Sequence, residues 1–169
     1  MTVSALLTDA FDRVQQGVHA LLDGIDEKAL VHRPDPEANT VAWLVWHLTR
    51  VQDDHVAAAA GAAQRWTASG WEERFALPFP SDATGYGQGA DEVGAVRTGA
   101  GLLLGYYDEV HAATAGFLAG LADGDLGRVV DDAWDPPVTL AVRLVSVVAD
   151  DLEHVGQAAY VRGLAERAR

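Results

Sequence analysis

The sequence predicts an all-α four-helix bundle with a long loop between helices 2 and 3. Three observations carry this. Four long stretches place apolar residues at three- and four-residue steps. No alternating strand pattern is sustained, and no βαβ rhythm or fixed-period repeat is visible. The composition is 49% apolar, yet no apolar run approaches the roughly 20 residues of a membrane span. At 169 residues the chain is long enough to bury a substantial core as one domain, 1–169. These are the conditions under which helices pack on helices.

The first helix is expected from about Val3 to Leu22, where Leu6, Leu7, Ala10, Val14, Val18, Leu21 and Leu22 fall near helical spacing and Gly24 is a natural stop. The connector IDEKALVHRPDPEANT follows, and its prolines and Asn39 break regular structure. Thr40 or Asn39 can cap a second helix that runs to about Ala60 and ends at Gly61. Residues 62–90 form a long connection carrying Trp66, Trp71, Phe75, Phe79 and Tyr86. Such a loop is either a functional lid or a segment anchored by its own aromatic cluster. A third helix is expected over about Asp91 to Ala119. After the connector DGDLGRVVDDAWDPP, the last helix runs from near Val138 to about Glu166.

Charge and composition exclude several functions. A net charge of −13 repels nucleic acid, and with Lys28 the only lysine there is no basic stripe to override it. With no cysteine, disulfides and thiolate metal sites are ruled out, and any reacting thiol must come from outside the chain. The N-terminal MTVSALLTDAFDRVQQGV lacks a basic start and a small-residue cleavage site, so no secretory signal is expected and the cytoplasm is the default location. There is no HExxH, Gly-rich phosphate loop or GxSxG elbow.

What remains is a set of polar residues in line with core positions. On the last helix Leu140, Leu144, Val147, His154, Ala158 and Val161 share a face, with Asp150 and Asp151 filling the gap before His154. Asp150 lies four residues before His154, one turn away on the same side. On the second helix Leu44, His47, Val51, Asp54 and Ala58 share a face. Two inward imidazoles and a carboxylate from facing helices make a three-ligand divalent metal site with an open position, the pattern of catalytic zinc. Nickel, iron(II) and manganese fit the same donors. Asp151 is the alternative carboxylate, and one of the two aspartates is expected to face solvent. Either imidazole can instead be a hydrogen-bonded core residue. His55 and His111 read as structural or supporting, His19 and His32 as surface residues.

Three stretches, TVAWLVWHLTRVQDDH, TGYGQGADEVGAVR and DDLEHVGQAAYVRG, resemble the DinB-like superfamily of metal-binding four-helix proteins. The likeness is to the branch containing the metal-binding domain of mycothiol-dependent maleylpyruvate isomerase, and it spans essentially the whole chain. The resemblance implies that His47 and His154 are ligands and that the third sits one turn before the last histidine. That position holds Asp150, one methylene shorter than the glutamate common there. It also implies a low-molecular-weight thiol, mycothiol or a relative, as cosubstrate. The chain ends soon after the last helix, without the further domain of the two-domain isomerases, so maleylpyruvate isomerisation is not expected.

The expectation is therefore a metal-dependent enzyme that transfers or adds a small thiol to an electrophile. Arg50 and Arg162, flanking the two motifs, are the candidates to bind the thiol cosubstrate or a substrate carboxylate. The alternative is a non-catalytic metal- or ligand-binding bundle, and a homodimer is compatible with either.

Overall fold

The structure, a computed structural model, describes residues 2–168. Its elements are α1 (Val3–Leu22), α2 (Glu27–Leu30), α3 (Val41–Ala60), α4 (Arg65–Ala68), α5 (Trp71–Phe75), α6 (Ala90–Ala95), α7 (Ala100–Ala119), a 3-10 turn (Asp123–Gly127), strands β1 (Val129–Asp131) and β2 (Val138–Thr139), and α8 (Leu140–Arg167). The four long helices α1, α3, α7 and α8 form the expected bundle, in which α7 and α8 each pack against both α1 and α3.

The helix ends follow local chemistry. Thr2, Thr40 and Thr139 each accept a hydrogen bond from a backbone N–H of the first turn, at Ala5, Trp43 and Val142, satisfying donors that the helix itself leaves unpaired. Of the two cap candidates for α3, Thr40 takes the role. Gly61 closes that helix in the left-handed region at φ 65°, where a side chain is disfavoured.

Side-chain contacts fix the helix directions. Gly17 meets Val155 and Arg162 reaches Leu21, so α1 and α8 run parallel. His55 meets Arg143 near one end of α3 and His47 meets His154 near the other, so α3 and α8 are antiparallel. Ser4 bonds Leu118 and His19 meets Asp108, so α1 and α7 are antiparallel, which leaves α3 and α7 running parallel. A parallel neighbour needs a return connection, and residues 61–99 supply it. That is the physical reason for the long middle segment.

The segment is an anchored strap. Trp66 and Trp71 with Phe75 on α4 and α5 are buried in the main core with Trp43, Trp46, Tyr106 and Tyr107, whereas the aromatic Tyr86 at its tip is open. The strap covers the side of α3 that would otherwise face water, so every residue from Thr40 to Arg50 is buried. A single inward stripe on this helix is therefore an incomplete description, since its first half is wrapped all round. A second apolar cluster, with Phe11, Val56, Leu118, Leu140, Leu144 and Val147, fills the opposite end of the bundle.

Three boundaries differ from expectation. The helix expected over 91–119 is broken between α6 and α7, because Val96 leaves helical geometry at ψ 88° and buries its side chain in the core. The last helix, expected from near Val138, starts at Leu140 with Thr139 as its cap. The connector before α8 holds a short antiparallel hairpin, β1 with β2, too brief to show as an alternating pattern.

A buried ion pair ties the strap to α3. Asp53 accepts from the backbone N–H groups of Arg65 and Trp66, both at 2.8 Å, and from the Tyr106 hydroxyl at 2.8 Å. Arg50, with no exposed surface, stands 3.7 Å from the same carboxylate and over the Trp66 ring. Removing one member of such a pair leaves a buried charge without compensation. Asp53→Ala is expected to lower stability by about 3–5 kcal/mol in urea unfolding; a loss comparable to that of a surface substitution would show that the pair does not hold the strap.

Candidate metal centre

His47 on α3 and Asp150 with His154 on α8 come together where the two antiparallel helices face each other. One donor atom from each lies within 4.8 Å of the others, and the two imidazole centroids are 4.8 Å apart. His47 is buried, while His154 and Asp150 are partly open.

Each ring is oriented by a neighbour. The Nδ1 of His47 lies 2.5 Å from the Thr84 carbonyl. A carbonyl can only accept, so Nδ1 carries the proton and the neutral ring keeps its lone pair on Nε2. Trp43, one turn earlier, stacks on this ring at 4.6 Å and is itself held by its Nε1–H donating to Gln88 at 2.8 Å. Gly85 permits this close approach. Its φ is +99°, and a Cβ there would come within 2.6 Å of His47 Nδ1. On α8, His154 Nδ1 lies 3.0 Å from Gln157 Oε1; donation to that oxygen leaves Nε2 directed at Asp150 Oδ1, 3.6 Å away. The second Asp150 oxygen is buried with no hydrogen-bond partner among the described residues.

These donors fit a divalent cation. Two imidazoles present Nε2 with Nδ1 engaged by oxygen, the arrangement in which metal-bound histidines are commonly oriented. A carboxylate with an orphaned buried oxygen stands beside them, and a small closing of the side chains brings all three within the span of one ion. The mutual electrostatics agree. Burial holds the His47 pKa below the ordinary value. The neighbouring Asp150 carboxylate raises that of His154. Burial pulls the Asp150 carboxyl upward, but His154, with the charges of His47 and His55, outweighs it and leaves Asp150 lowered.

Neither aspartate faces solvent freely, contrary to expectation. Asp150 is half-buried toward the triad, and Asp151 is completely buried. Both Asp151 oxygens lack hydrogen-bond partners among the described residues. The rotation of about 100° per helical residue carries Asp151 away from the imidazoles into the interior, so it is not part of the cluster.

The two arginines expected to bind a cosubstrate are committed to the protein itself. Arg50 is inaccessible, and it donates to the carbonyls of Ala83 and Ser81, to Gln64 and to the Tyr106 oxygen. Arg162 donates to Glu166 and to the carbonyls of Ala20, Leu21 and Asp23, closing the end of α1. Their sequence neighbourhood matched the motifs, but helical rotation turns Arg50 inward and Arg162 toward α1.

Among the other candidates, Asp54 accepts from Gln64 and lies 3.5 Å from His55. His55, whose pKa is lowered by burial and by the Arg143 charge, lines a cleft of about 260 Å3 with Asp54, Asp131 and Arg143. His55 on α3 and Arg143 on α8 place this cleft farther along the same pair of helices that carries the triad. His111 pairs with Asp12 and His19 with Asp108; both tie α1 to α7.

Thr84, Gly85, Trp43 and Gln157 were not singled out by sequence. Trp43 and Gln157 lie on the ligand faces at four- and three-residue offsets from His47 and His154, a usable signal. Thr84 contributes only a main-chain oxygen and leaves none.

The bundle and its inward polar cluster define a DinB-like helical protein. A crystal structure described as a conserved protein from Enterococcus faecalis superposes with a TM-score of 0.90, at 31% identity and over 98% of each chain. No curated protein matches the sequence. The model of the mycothiol-S-transferase family matches residues 6–166, and the chain belongs to that family. Among the described residues, no helix is long and apolar enough to cross a membrane.

Burial, and secondarily the Asp150 charge, raise the Asp151 pKa well above the ordinary value. A group whose folded pKa is raised contributes no penalty below its unfolded value near 4 and costs stability as pH rises above it, by about 1.4 kcal/mol per pH unit. Asp151→Asn is therefore expected to raise the unfolding midpoint of chelator-treated protein at pH 7 and to change it little at pH 4. Equal effects at both pH values in thermal melts would contradict this.

Proposed function

We propose that this protein is a divalent-metal-dependent enzyme that transfers or adds a low-molecular-weight thiol, mycothiol in the first instance, to an electrophilic small molecule. One observation carries the reading: two imidazoles and a carboxylate meet between α3 and α8 with one donor atom of each within 4.8 Å of the others. Family membership supplies the thiol and the electrophile as substrate classes.

His47 and His154 would hold the ion through Nε2, and Asp150 through its carboxylate. Zinc suits two nitrogens and one oxygen with an open position, and nickel, iron(II) or manganese suits the same set. What a divalent cation supplies there is the positive charge that lets a thiol, ordinarily protonated at neutral pH, lose its proton. The chain has no sulfur nucleophile of its own, so the reacting sulfur comes from the cosubstrate. Thr84 and Gln157 keep the rings turned the right way, and Trp43 walls one side of His47. The cleft lined by His55 and Arg143 is the opening that receives the body of the cosubstrate. His55, kept neutral there, offers a basic nitrogen on its wall.

Elemental analysis of freshly purified protein is expected to show bound divalent metal, strongly reduced in His47→Ala and in His154→Ala. Unchanged content in both variants would overturn the metal assignment. Metal-loaded protein is further expected to accelerate conjugation of mycothiol to a chromogenic electrophile above the uncatalysed rate, with stripped protein inactive and re-addition of metal restoring turnover. If metal binds but no thiol-dependent turnover appears over a panel of electrophiles, the enzymatic reading fails and a metal-binding bundle remains.

A further inference from the structure

We propose that Arg50 is a positioning residue for the ion-binding face of His47, acting through the main chain of residues 81–85. The inference rests on the metal reading above, and it assigns a role to a buried charge that touches neither the triad nor the cleft lined by His55 and Arg143.

The geometry runs in three links. His47 presents Nε2 to a cation only while its neutral ring carries the proton on Nδ1, and the Thr84 carbonyl enforces that tautomer. Thr84 lies in a segment outside any helix or strand, so the position of its carbonyl depends on whatever holds the segment. Arg50 provides that hold. It sits three residues after His47 on α3, and its guanidinium reaches the Ala83 carbonyl at 3.0 Å through Nε and the Ser81 carbonyl at 3.4 Å through Nη2. The fork therefore grips the chain immediately before Thr84. Nη1 meanwhile binds Gln64 at 2.8 Å and the Tyr106 oxygen at 3.3 Å. Asp53 supplies the compensating charge, which allows a fully buried guanidinium to stay in place.

A planar group with donors in several directions is required here. A lysine ammonium placed at the same point keeps the charge opposite Asp53 but lacks the fixed fork that spans the Ser81 and Ala83 carbonyls. Gly85 completes the arrangement from the other side, since it lets the backbone lie against His47, Trp43 and Trp46 where a Cβ would collide. Arg50 and Gly85 thus set the height of the Thr84 carbonyl over the imidazole, one by pulling the segment down and the other by leaving room for it.

The test uses the full chain and zinc ion as probe. Long-range proton–nitrogen NMR of metal-free wild-type protein is expected to show His47 protonated on Nδ1; protonation on Nε2 would overturn the proposal without any variant. Arg50→Lys is expected to convert His47 to a mixture of tautomers and to weaken zinc binding by about 10–100-fold, the range for losing a group that orients a ligand. Zinc affinity is read by competition with a chromogenic chelator at a temperature where circular dichroism shows the variant folded. Arg162→Lys, a clamp remote from the triad, serves as the control and is expected to leave both readouts unchanged. A folded Arg50→Lys protein with wild-type tautomer and affinity would overturn the proposal. If Arg50→Lys does not fold, Gly85→Ala takes its place, with loss of the Nδ1–H signal expected and its retention at unchanged affinity contradicting. Failure of wild-type protein to bind zinc would sink the metal reading alone, because the tautomer measurement needs no metal.

Discussion

The structure depends on the demand that the first half of α3 be shielded on every side. That helix carries Trp43, Leu44, Trp46 and Leu48 together with His47, Arg50 and Asp53, all buried. Its two bundle neighbours, α7 and α8, cannot cover such a helix, and the strap of residues 61–99 is the further wall. The Arg50–Asp53 pair fastens that wall, with the carboxylate taking the first N–H groups of α4 and the guanidinium taking the carbonyls of the later segment. Buried ion pairs are poor evidence of net stabilisation in general. Here the pair selects one placement of a segment that has little regular structure of its own, which is a contribution to specificity.

The polar triad follows from the same enclosure. A buried imidazole held below its ordinary pKa faces a second, partly open one that its carboxylate neighbour draws toward protonation. The pattern makes sense for groups meant to share a positive charge. The bundle holds it where α3 and α8 run antiparallel, so that donor groups far apart in sequence rise from rigid helices and not from loops. Ligand rings placed on helices and oriented by carbonyl and amide oxygens are held more tightly than ligands on mobile segments.

How much of this was legible depended on whether a side chain or the main chain does the work. The four helices, the Thr40 cap and the Gly61 stop were readable because periodicity, capping hydroxyls and glycine act locally. His47, Asp150 and His154 were readable for the same reason, since helical spacing fixes their direction. The surroundings of Arg50 and Arg162 were not legible, because proximity to a motif says nothing about rotation around the axis. Each falls on a side of its helix that meets a neighbour no local pattern announces. The placement of Asp151 was missed because two adjacent acids look alike until the partner helix is known. The Thr84 carbonyl had no sequence signature at all, as any residue offers one.

The separation of the ligands along the chain has a consequence for how the molecule assembles. His47 lies in the first third of the sequence and His154 near its end, and the strap and α7 are laid down between them. An ion gripped by both would act as a rivet between distant parts of the polypeptide, closed only after the intervening walls are in place. Its retention then reports completed tertiary structure, and a nascent or proteolytically nicked chain lacking α8 would hold the cation no better than a loose histidine does.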